Sequence, residues 1–313
     1  MNTSIKYPPF EEIEINKTEI PEAALNIENR TRKNLFSWNG QFSPLFVKAL
    51  LDKYAKPDQS VLDPFSGSGT VLVESARKNL AATGVELNPS AFYMSKTYEF
   101  CNLRSEEREK TLSILEETIL QSGDERLLDN LKKLLLTQNE LLKTAVSCHI
   151  ILMDLYNFEP TKERATLVFQ KLHEIISELP YSNKKISAIC GDVRTELYDC
   201  ENKFDIVLTS PPYINVFNYH QNYRKSVEFL GYDVLKIARK EFGSNRRNRG
   251  NRLLTVIEYC IDMALSISAI LNKTNNDGRI IFVVGRTSTV LGYQFSNSAI
   301  IYDIFSKGVG LHR

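Results

Sequence analysis

Short apolar runs, each ended by a polar or proline-containing turn, recur along this chain, with helical patterns between them. Five such runs predict strands, at residues 60–62, 81–87, 185–190, 204–208 and 278–285. Apolar spacing predicts further helices at residues 44–54, 70–78 and 298–306. Because strands separated by helices pair in parallel, this order predicts an α/β fold with a doubly wound sheet.

Two long stretches interrupt the alternation. The first, at about residues 91–184, is helical by pattern and carries leucines spaced by three, four and seven, namely Leu127, Leu128, Leu131, Leu134, Leu135, Leu141 and Leu142. Residues 99–185 hold 15 acidic and 12 basic side chains, so this stretch is not a basic nucleic-acid surface. We interpret it as a helical insert packed on the sheet, with a dimerising coiled coil as the alternative.

The second stretch, residues 214–252, holds nine Lys or Arg and three acidic residues. Aromatic residues precede its basic end, at Phe217, Tyr219, Tyr223, Phe229 and Tyr232. Basic side chains neutralise phosphates and aromatic rings stack on unpaired bases, which favours a nucleic-acid contact over a solvated loop. The predicted contacts are Arg246, Arg247, Arg249 and Arg252.

Composition excludes several other classes. The 313 residues carry a net charge of +1, which as an average neither favours nor excludes a nucleic-acid partner. Five widely spaced cysteines without a C-x-x-C pair predict no disulfide framework and no metal site. No secretory signal and no membrane-spanning run is expected, which predicts a cytoplasmic protein. Residues 1–29 are predicted to be an acidic extension.

A glycine-rich turn joins the first predicted strand to the following helix, with the sequence Asp63-Pro64-Phe65-Ser66-Gly67-Ser68-Gly69-Thr70. Glycines let the backbone approach a ligand closely, although alone they indicate only a tight turn or an anion site. Glu86 ends the second strand, where an acid can bind ribose hydroxyls, and Asp192 follows the third strand, where an acid can accept from an adenine amino group. Together these features predict a cofactor that contains adenosine.

The fourth predicted strand ends in a second motif, Thr209-Ser210-Pro211-Pro212-Tyr213. Two prolines remove two N–H donors, so that nearby carbonyl groups can accept from a ligand. Ser210 adds a hydroxyl acceptor and Tyr213 a ring on which a planar base can stack. This chemistry suits an exocyclic amine, although a Pro-Pro turn can also simply end a strand.

The two motifs, in this order, closely resemble those of the S-adenosylmethionine-dependent amino-methyltransferases of DNA, the N4-cytosine and N6-adenine group of restriction–modification systems. The family patterns are D-P-F-x-G-S-G-T and [DNS]-P-P-[YFW], and both are matched in full. Residues 36–44, with Trp38, resemble more loosely the motif that precedes the first helix in the family. The resemblance covers about residues 36–90 and 185–290.

The resemblance implies S-adenosylmethionine as cofactor and direct methyl transfer to a base flipped out of double-stranded DNA. It implies that the cofactor is bound by Trp38, Asp63, Pro64, Phe65, Ser66, Gly67, Gly69, Thr70, Glu86, Asn88 and Asp192. It implies that the target base is held by Ser210, Pro211, Pro212 and Tyr213, and that DNA contacts come from the four arginines named above. A serine before the two prolines favours cytosine N4 over adenine N6.

The sequence departs from the family at its end. The family sheet has seven strands, and we expect its last two to be missing here, since a helix follows the fifth strand and the sequence given stops at Arg313. Residues 30–313 are therefore expected to form a Rossmann-like methyltransferase domain without the terminal strand pair. Three alternatives stay open: an N6-adenine enzyme, an RNA amino-methyltransferase, and an inactive or split subunit. The expected partners besides DNA are a cognate restriction endonuclease or a complementing methyltransferase chain.

Overall fold

Five parallel strands form the central sheet in a computed structural model of the chain, which describes residues 8–14, 16, 18–21, 24, 33–214, 219–242 and 252–308. The strand order is β3-β2-β1-β4-β5. The strands are β1 (Ser60–Asp63), β2 (Ala81–Glu86), β3 (Ile186–Cys190), β4 (Phe204–Thr209) and β5 (Thr274–Phe282). All five predicted strands are confirmed, and the mixed α/β fold with a Rossmann-like parallel sheet is confirmed with them. Only β5 begins clearly earlier than predicted.

The strand order reverses between β1 and β4, which are neighbours in the sheet. From β1 the chain first builds outward through β2 and β3, and then returns to add β4 and β5 on the other side. Loops that leave the carboxyl ends of β1 and β4 therefore diverge to opposite faces of the sheet. Such a switch point is where open α/β sheets bind their ligands.

Helices cover both faces of the sheet. In chain order they are α1 (Pro44–Tyr54), α2 (Thr70–Arg77), α3 (Pro89–Lys96), α4 (Ser105–Gln121), α5 (Asp124–Leu134), α6 (Glu140–Met153), α7 (Lys162–Ser177), α8 (Val193–Asp199), α9 (Arg224–Phe229), α10 (Val234–Ala238), α11 (Leu253–Asn272) and α12 (Asn297–Asp303). Successive strand residues point to opposite faces, so Val61 packs in the core cluster that contains α1 and α2, whereas Leu62 packs in the cluster that contains α8 and α11.

The stretch predicted to be helical forms α3 to α7, with a 3-10 turn at Thr97–Asn102. Of the seven regularly spaced leucines, Leu127, Leu131 and Leu142 are buried and the other four are half-buried. Arg108 on α4 is 2% exposed and donates to five main-chain carbonyls, among them those of Phe100 and Leu179. A buried guanidinium needs this number of acceptors, and here they tie α4 to the end of α7.

The structure also contains two strands that the sequence analysis did not predict. β6 (Thr287–Val290) and β7 (Tyr293–Ser296) form an antiparallel hairpin apart from the central sheet, between β5 and α12. Each strand has only four residues, and the turn is Leu-Gly rather than the Asn-Gly that signals a hairpin in sequence. Within the part of the chain that the structure describes, β5 is an edge of the central sheet.

Helix α11 is long and apolar enough to cross a membrane by length and composition, which the sequence analysis did not anticipate. One such helix is weak evidence, because the core helix of a globular protein passes the same test. One side of α11 is buried, with Tyr259, Met263 and Ile267 in the core. Its outer side exposes Ile257 and Ile261 by about half.

Candidate active site

A cleft with about 1020 Å³ of empty space, its solvent-open mouth included, lies at the switch point between the carboxyl ends of β1 and β4. Almost all the predicted cofactor and base-binding residues line it, from five separate regions of the chain. They are Trp38, Asp63, Pro64, Phe65, Ser66, Gly67, Thr70, Glu86, Asn88, Asp192, Ser210, Pro211, Pro212 and Tyr213. Parallel strands bring these regions together because all their carboxyl ends meet at one edge of the sheet.

Asp63 ends β1 and is 2% exposed. Its Oδ1 accepts a hydrogen bond from Thr209 Oγ1 at 2.6 Å and one from the backbone N–H of Phe65 at 3.2 Å. The pKa of Asp63 is raised to about 7, chiefly by burial and to a smaller extent by the nearby Glu86 carboxylate, against the lowering effect of the two hydrogen bonds. The contact to Thr209 joins the glycine-rich motif directly to the Ser-Pro-Pro-Tyr motif.

Glu86 ends β2 and holds the glycine-rich turn in shape. Its Oε2 accepts from the Gly67 N–H at 2.8 Å, and its Oε1 accepts from the Asn88 N–H at 2.7 Å. Burial raises the pKa of Glu86 to about 7, with a further contribution from the charge of Glu241. Each carboxylate oxygen has two acceptor positions, so both retain one for a ligand hydroxyl.

Gly69 is the one predicted cofactor residue that does not line the cleft. It caps α2 with a φ of +86°, in the left-handed region. A Cβ atom there would lie 2.7 Å from the ring of Tyr98 and 2.8 Å from Ser95 Cα. Glycine is therefore required at this position by a close approach of α2 to the helical turn behind it.

Asp192 lines the cleft, but Arg194 occupies much of its hydrogen-bonding capacity. Asp192 Oδ1 accepts from the backbone N–H of Arg194 at 3.1 Å and from its Nε at 2.8 Å, while Oδ2 accepts from Nη2 at 2.5 Å. The same guanidinium pairs with Asp262 on α11 and donates to the Lys240 carbonyl at 3.0 Å. Asp192 Oδ2 has one further lone pair with which it could accept from an amino group.

The Ser-Pro-Pro-Tyr loop forms the opposite wall. Ser210 Oγ and the Tyr213 hydroxyl are 3.4 Å apart, and both residues line the cleft. The loop is fixed to β5 where the Val283 N–H donates to the Thr209 carbonyl at 2.9 Å. Gly285, just beyond β5, lies against the Tyr213 ring.

Sequence reasoning missed several residues that line the cleft. The ring of Tyr219 stacks on Trp38 with centroids 5.9 Å apart and an interplanar angle of 15°. Phe242 packs edge-on against Phe65 at 5.4 Å, with the Arg194 guanidinium 4.6 Å from its centroid. In the sequence Tyr219 is only one of a group of aromatics, and no motif marks Phe242.

Glu241, the neighbour of Phe242, is a fourth acid on the cleft wall, after Asp63, Glu86 and Asp192. Its Oε2 lies 2.6 Å from His220 Nδ1, and His220 is 3% exposed. These four carboxyl groups make the cleft acidic, although Asp63 and Glu86, whose pKa values are raised to about 7, are only partly ionised at neutral pH. No spacing rule connects His220 with Glu241, so the sequence alone did not indicate this pair.

The predicted DNA contacts are placed only in part. Arg246, Arg247 and Arg249 lie outside the described residues, and Arg252 is exposed immediately before α11. Among the described residues, no group of three or more His, Cys, Asp and Glu side chains could hold a metal ion.

An open parallel sheet with an acidic cleft at its switch point defines the class of Rossmann-like proteins that bind ligands at the carboxyl ends of their strands. Within that class, residues 11–97 match the family model described as DNA methylase, of the N6 and N4 methyltransferase type. This match confirms the predicted resemblance to the DNA amino-methyltransferases of the restriction–modification type, over a segment that contains the glycine-rich turn and Glu86. No curated protein matches the chain.

Proposed function

We propose that this protein transfers a methyl group from S-adenosylmethionine to the exocyclic amino group of a DNA base, with cytosine N4 as the favoured target. The observation that carries the proposal is the hydrogen bond between Asp63 and Thr209, because it brings the two motifs to one cleft. The family match supports DNA amino-methylation in general. The choice of base rests on Ser210 and on the chemistry of its loop.

The chemistry of the cleft fits the cofactor. S-adenosylmethionine supplies an activated methyl group on a positively charged sulfur. Asp63, Glu86 and Glu241 place negative charge along the cleft, which favours a cationic ligand. Glu86 retains acceptor positions for ribose hydroxyls, and Asp192 retains one for an adenine amino group. Phe65 and Phe242 provide aromatic surface beside Asp192.

The opposite wall suits a planar base with an amino group. In this proposal Ser210 Oγ and the Pro211 carbonyl accept the two N–H bonds of the amine and orient its lone pair. The Tyr213 ring covers the face of the base that has lost its stacking partners. Positioning of this kind needs no covalent intermediate with the enzyme, because the methyl donor is already activated.

The substrate we propose is double-stranded DNA, contacted in part by Arg246, Arg247, Arg249 and Arg252, and the site of action is the cytoplasm. A restriction endonuclease of the same system is a proposed partner. A complementing methyltransferase chain is the second proposed partner. It is favoured by edge strand β5, whose apolar residues Ile280, Ile281 and Phe282 are only half-buried.

The decisive experiment incubates the purified chain with methyl-labelled S-adenosylmethionine and either duplex DNA or RNA. Nucleoside mass spectrometry then identifies the product. We expect N4-methylcytosine from DNA. Detection of N6-methyladenine would change the proposed target base from cytosine to adenine. Methyl label found in RNA alone would overturn the proposal that DNA is the substrate. Cofactor binding without transfer to either substrate would indicate a subunit that needs a partner chain.

A further inference from the structure

The β6–β7 hairpin stands next to the base-binding wall of the cleft. It begins two residues after Gly285, which lies against the Tyr213 ring. Val290, at the end of β6, is buried in the same core cluster as Ile214, the residue that follows Tyr213. Asn297 fixes the base of the hairpin, since its Nδ2 donates to the Gly285 carbonyl at 3.0 Å and its Oδ1 accepts from Ser288 Oγ at 2.9 Å.

The tip of this hairpin is strained and apolar. Val290 pairs with Tyr293, which leaves Leu291 and Gly292 as the two turn residues, with φ values of +51° and +82°. Hairpins of this type normally carry Asn, Asp or Gly at the first turn position, because a leucine is disfavoured at positive φ. Yet Leu291 is 55% exposed and Tyr293 is 67% exposed, so burial does not compensate for this strain.

The surroundings of the hairpin favour a polyanion. No acidic residue occurs between Asp277 and Asp303, although 38 of the 313 residues in the chain are acidic. Of the two arginines in this interval, Arg279 lies over the Tyr54 ring at the end of α1, whereas Arg286 is exposed at the foot of the hairpin. A two-stranded ribbon also fits into the major groove, which is about 12 Å wide.

We propose that the β6–β7 hairpin contacts duplex DNA and that Leu291 inserts into the base stack beside the target base. Apolar side chains that enter a base step unstack it, and a stored backbone strain at an exposed position indicates function rather than folding. Four strand residues rise about 13 Å, so the tip lies within reach of a duplex whose base occupies the cleft. Tyr293 adds a ring that stacks on an exposed base, and Arg286 contacts a phosphate. This inference rests on the proposed function, since it takes DNA as the substrate.

The test compares Leu291→Asn with Leu136→Asn, because Leu136 is an exposed leucine in the helical insert, 80% accessible to solvent. Affinity for a fluorescein-labelled duplex is measured by fluorescence anisotropy, and stability by thermal unfolding. We expect Leu291→Asn to weaken DNA binding about tenfold, equivalent to about 1.4 kcal/mol. We expect it to raise the unfolding temperature, since asparagine tolerates positive φ. Leu136→Asn changes neither property.

Opposite changes in DNA affinity and stability distinguish a DNA contact from a structural role. If Leu291 were structural, its replacement would lower both the affinity and the stability. Leu291→Gly serves as a second variant with the same freedom of φ, and Tyr293→Ala should also weaken binding. Arg286→Gln should lower the salt dependence of binding by about one ion, whereas Leu291→Asn leaves that slope unchanged.

Unchanged DNA affinity in both Leu291 variants overturns the proposal, as does a shift only in self-association measured by sedimentation. If the wild-type chain binds and methylates DNA and the variants behave identically to it, the proposed role of the hairpin is refuted and the proposed function is not. A wild-type chain that neither binds duplex DNA nor transfers methyl groups would refute the proposed function together with the hairpin.

Discussion

Thr209 donates a hydrogen bond of 2.6 Å to the buried carboxylate of Asp63, although 146 residues separate them in sequence. The two residues end neighbouring strands on either side of the switch point. The hydroxyl partly offsets the cost of burying the carboxylate, and it ties the turn proposed to hold the cofactor to the loop proposed to hold the base.

Replacement of Thr209 by valine tests this link. Thr209→Val keeps the shape of the side chain but leaves the carboxylate with one donor fewer, which should cost about 2 kcal/mol when Asp63 is ionised. We expect lower stability near pH 8 and weaker binding of S-adenosylhomocysteine by isothermal titration calorimetry. Thr209→Ser retains the hydroxyl and is the control. A loss in Thr209→Ser without a loss in Thr209→Val would mean that the methyl group, and not the hydrogen bond, is responsible.

The buried carboxylates predict an unusual dependence of stability on pH. Burial raises the pKa of Asp63 and of Glu86 to about 7, well above the ordinary values for these side chains. Between about pH 4 and pH 7 the native state therefore holds protons that the unfolded state has lost. The free energy of unfolding should fall as pH rises through this window and become constant above it.

Asp63→Asn should remove part of this slope and raise the stability of the ligand-free chain near pH 8, while it weakens cofactor binding. Urea unfolding at about pH 5 and about pH 8 measures the first effect. In the double variant with Glu86→Gln the slope should reverse, because burial lowers the pKa of His149 to about 4 and the unfolded state then holds the extra proton. If Asp63→Asn leaves the slope unchanged, the Asp63 carboxyl in the native state has the ordinary pKa of an aspartate.

The sequence predicted the sheet and the cleft because both depend on local signals. Each strand is an apolar run, and it stops where a polar or proline-containing turn begins, as at Asp63-Pro64 and Asn88-Pro89. Once the strands are parallel, their carboxyl ends must meet, so acids at those ends share one cleft.

The remaining features depend on contacts between distant residues. Arg194 pairs with Asp192 two residues away, but its other partners, Lys240 and Asp262, lie 46 and 68 residues further along the chain. Nothing in the sequence around Arg194 indicates that it joins α8, α11 and the cleft wall. Phe242 likewise becomes part of the site only because the chain folds back over Phe65.

Tyr213 provides the sharpest test of the base-binding wall. Its hydroxyl lies 3.4 Å from Ser210 Oγ, and its ring is proposed to cover the target base. Tyr213→Ala should reduce turnover about 100-fold or more, since a lost stacking surface costs about 1–3 kcal/mol and orientation is lost with it. Binding of S-adenosylhomocysteine should survive. Tyr213→Phe keeps the ring and should retain most of the activity, so equal loss in both variants would assign the role to the hydroxyl.

Phe242 is predicted to form one side of the cofactor pocket. Its ring lies between Phe65 and the Arg194 guanidinium, and no motif of the family marks it. Phe242→Ala should weaken S-adenosylhomocysteine binding about tenfold, because it removes apolar surface beside Asp192.

Phe158→Ala is the control. The Phe158 ring also has an arginine over it, since the Arg164 guanidinium lies 3.9 Å from its centroid, but Phe158 does not line the cleft. Both variants lose a cation–π contact of about 0.5–2 kcal/mol, and Phe242→Ala also loses packing against two core clusters, so thermal unfolding is measured for both. Only Phe242→Ala should lose cofactor affinity. If the two variants bind S-adenosylhomocysteine equally well, Phe242 does not contribute to cofactor binding.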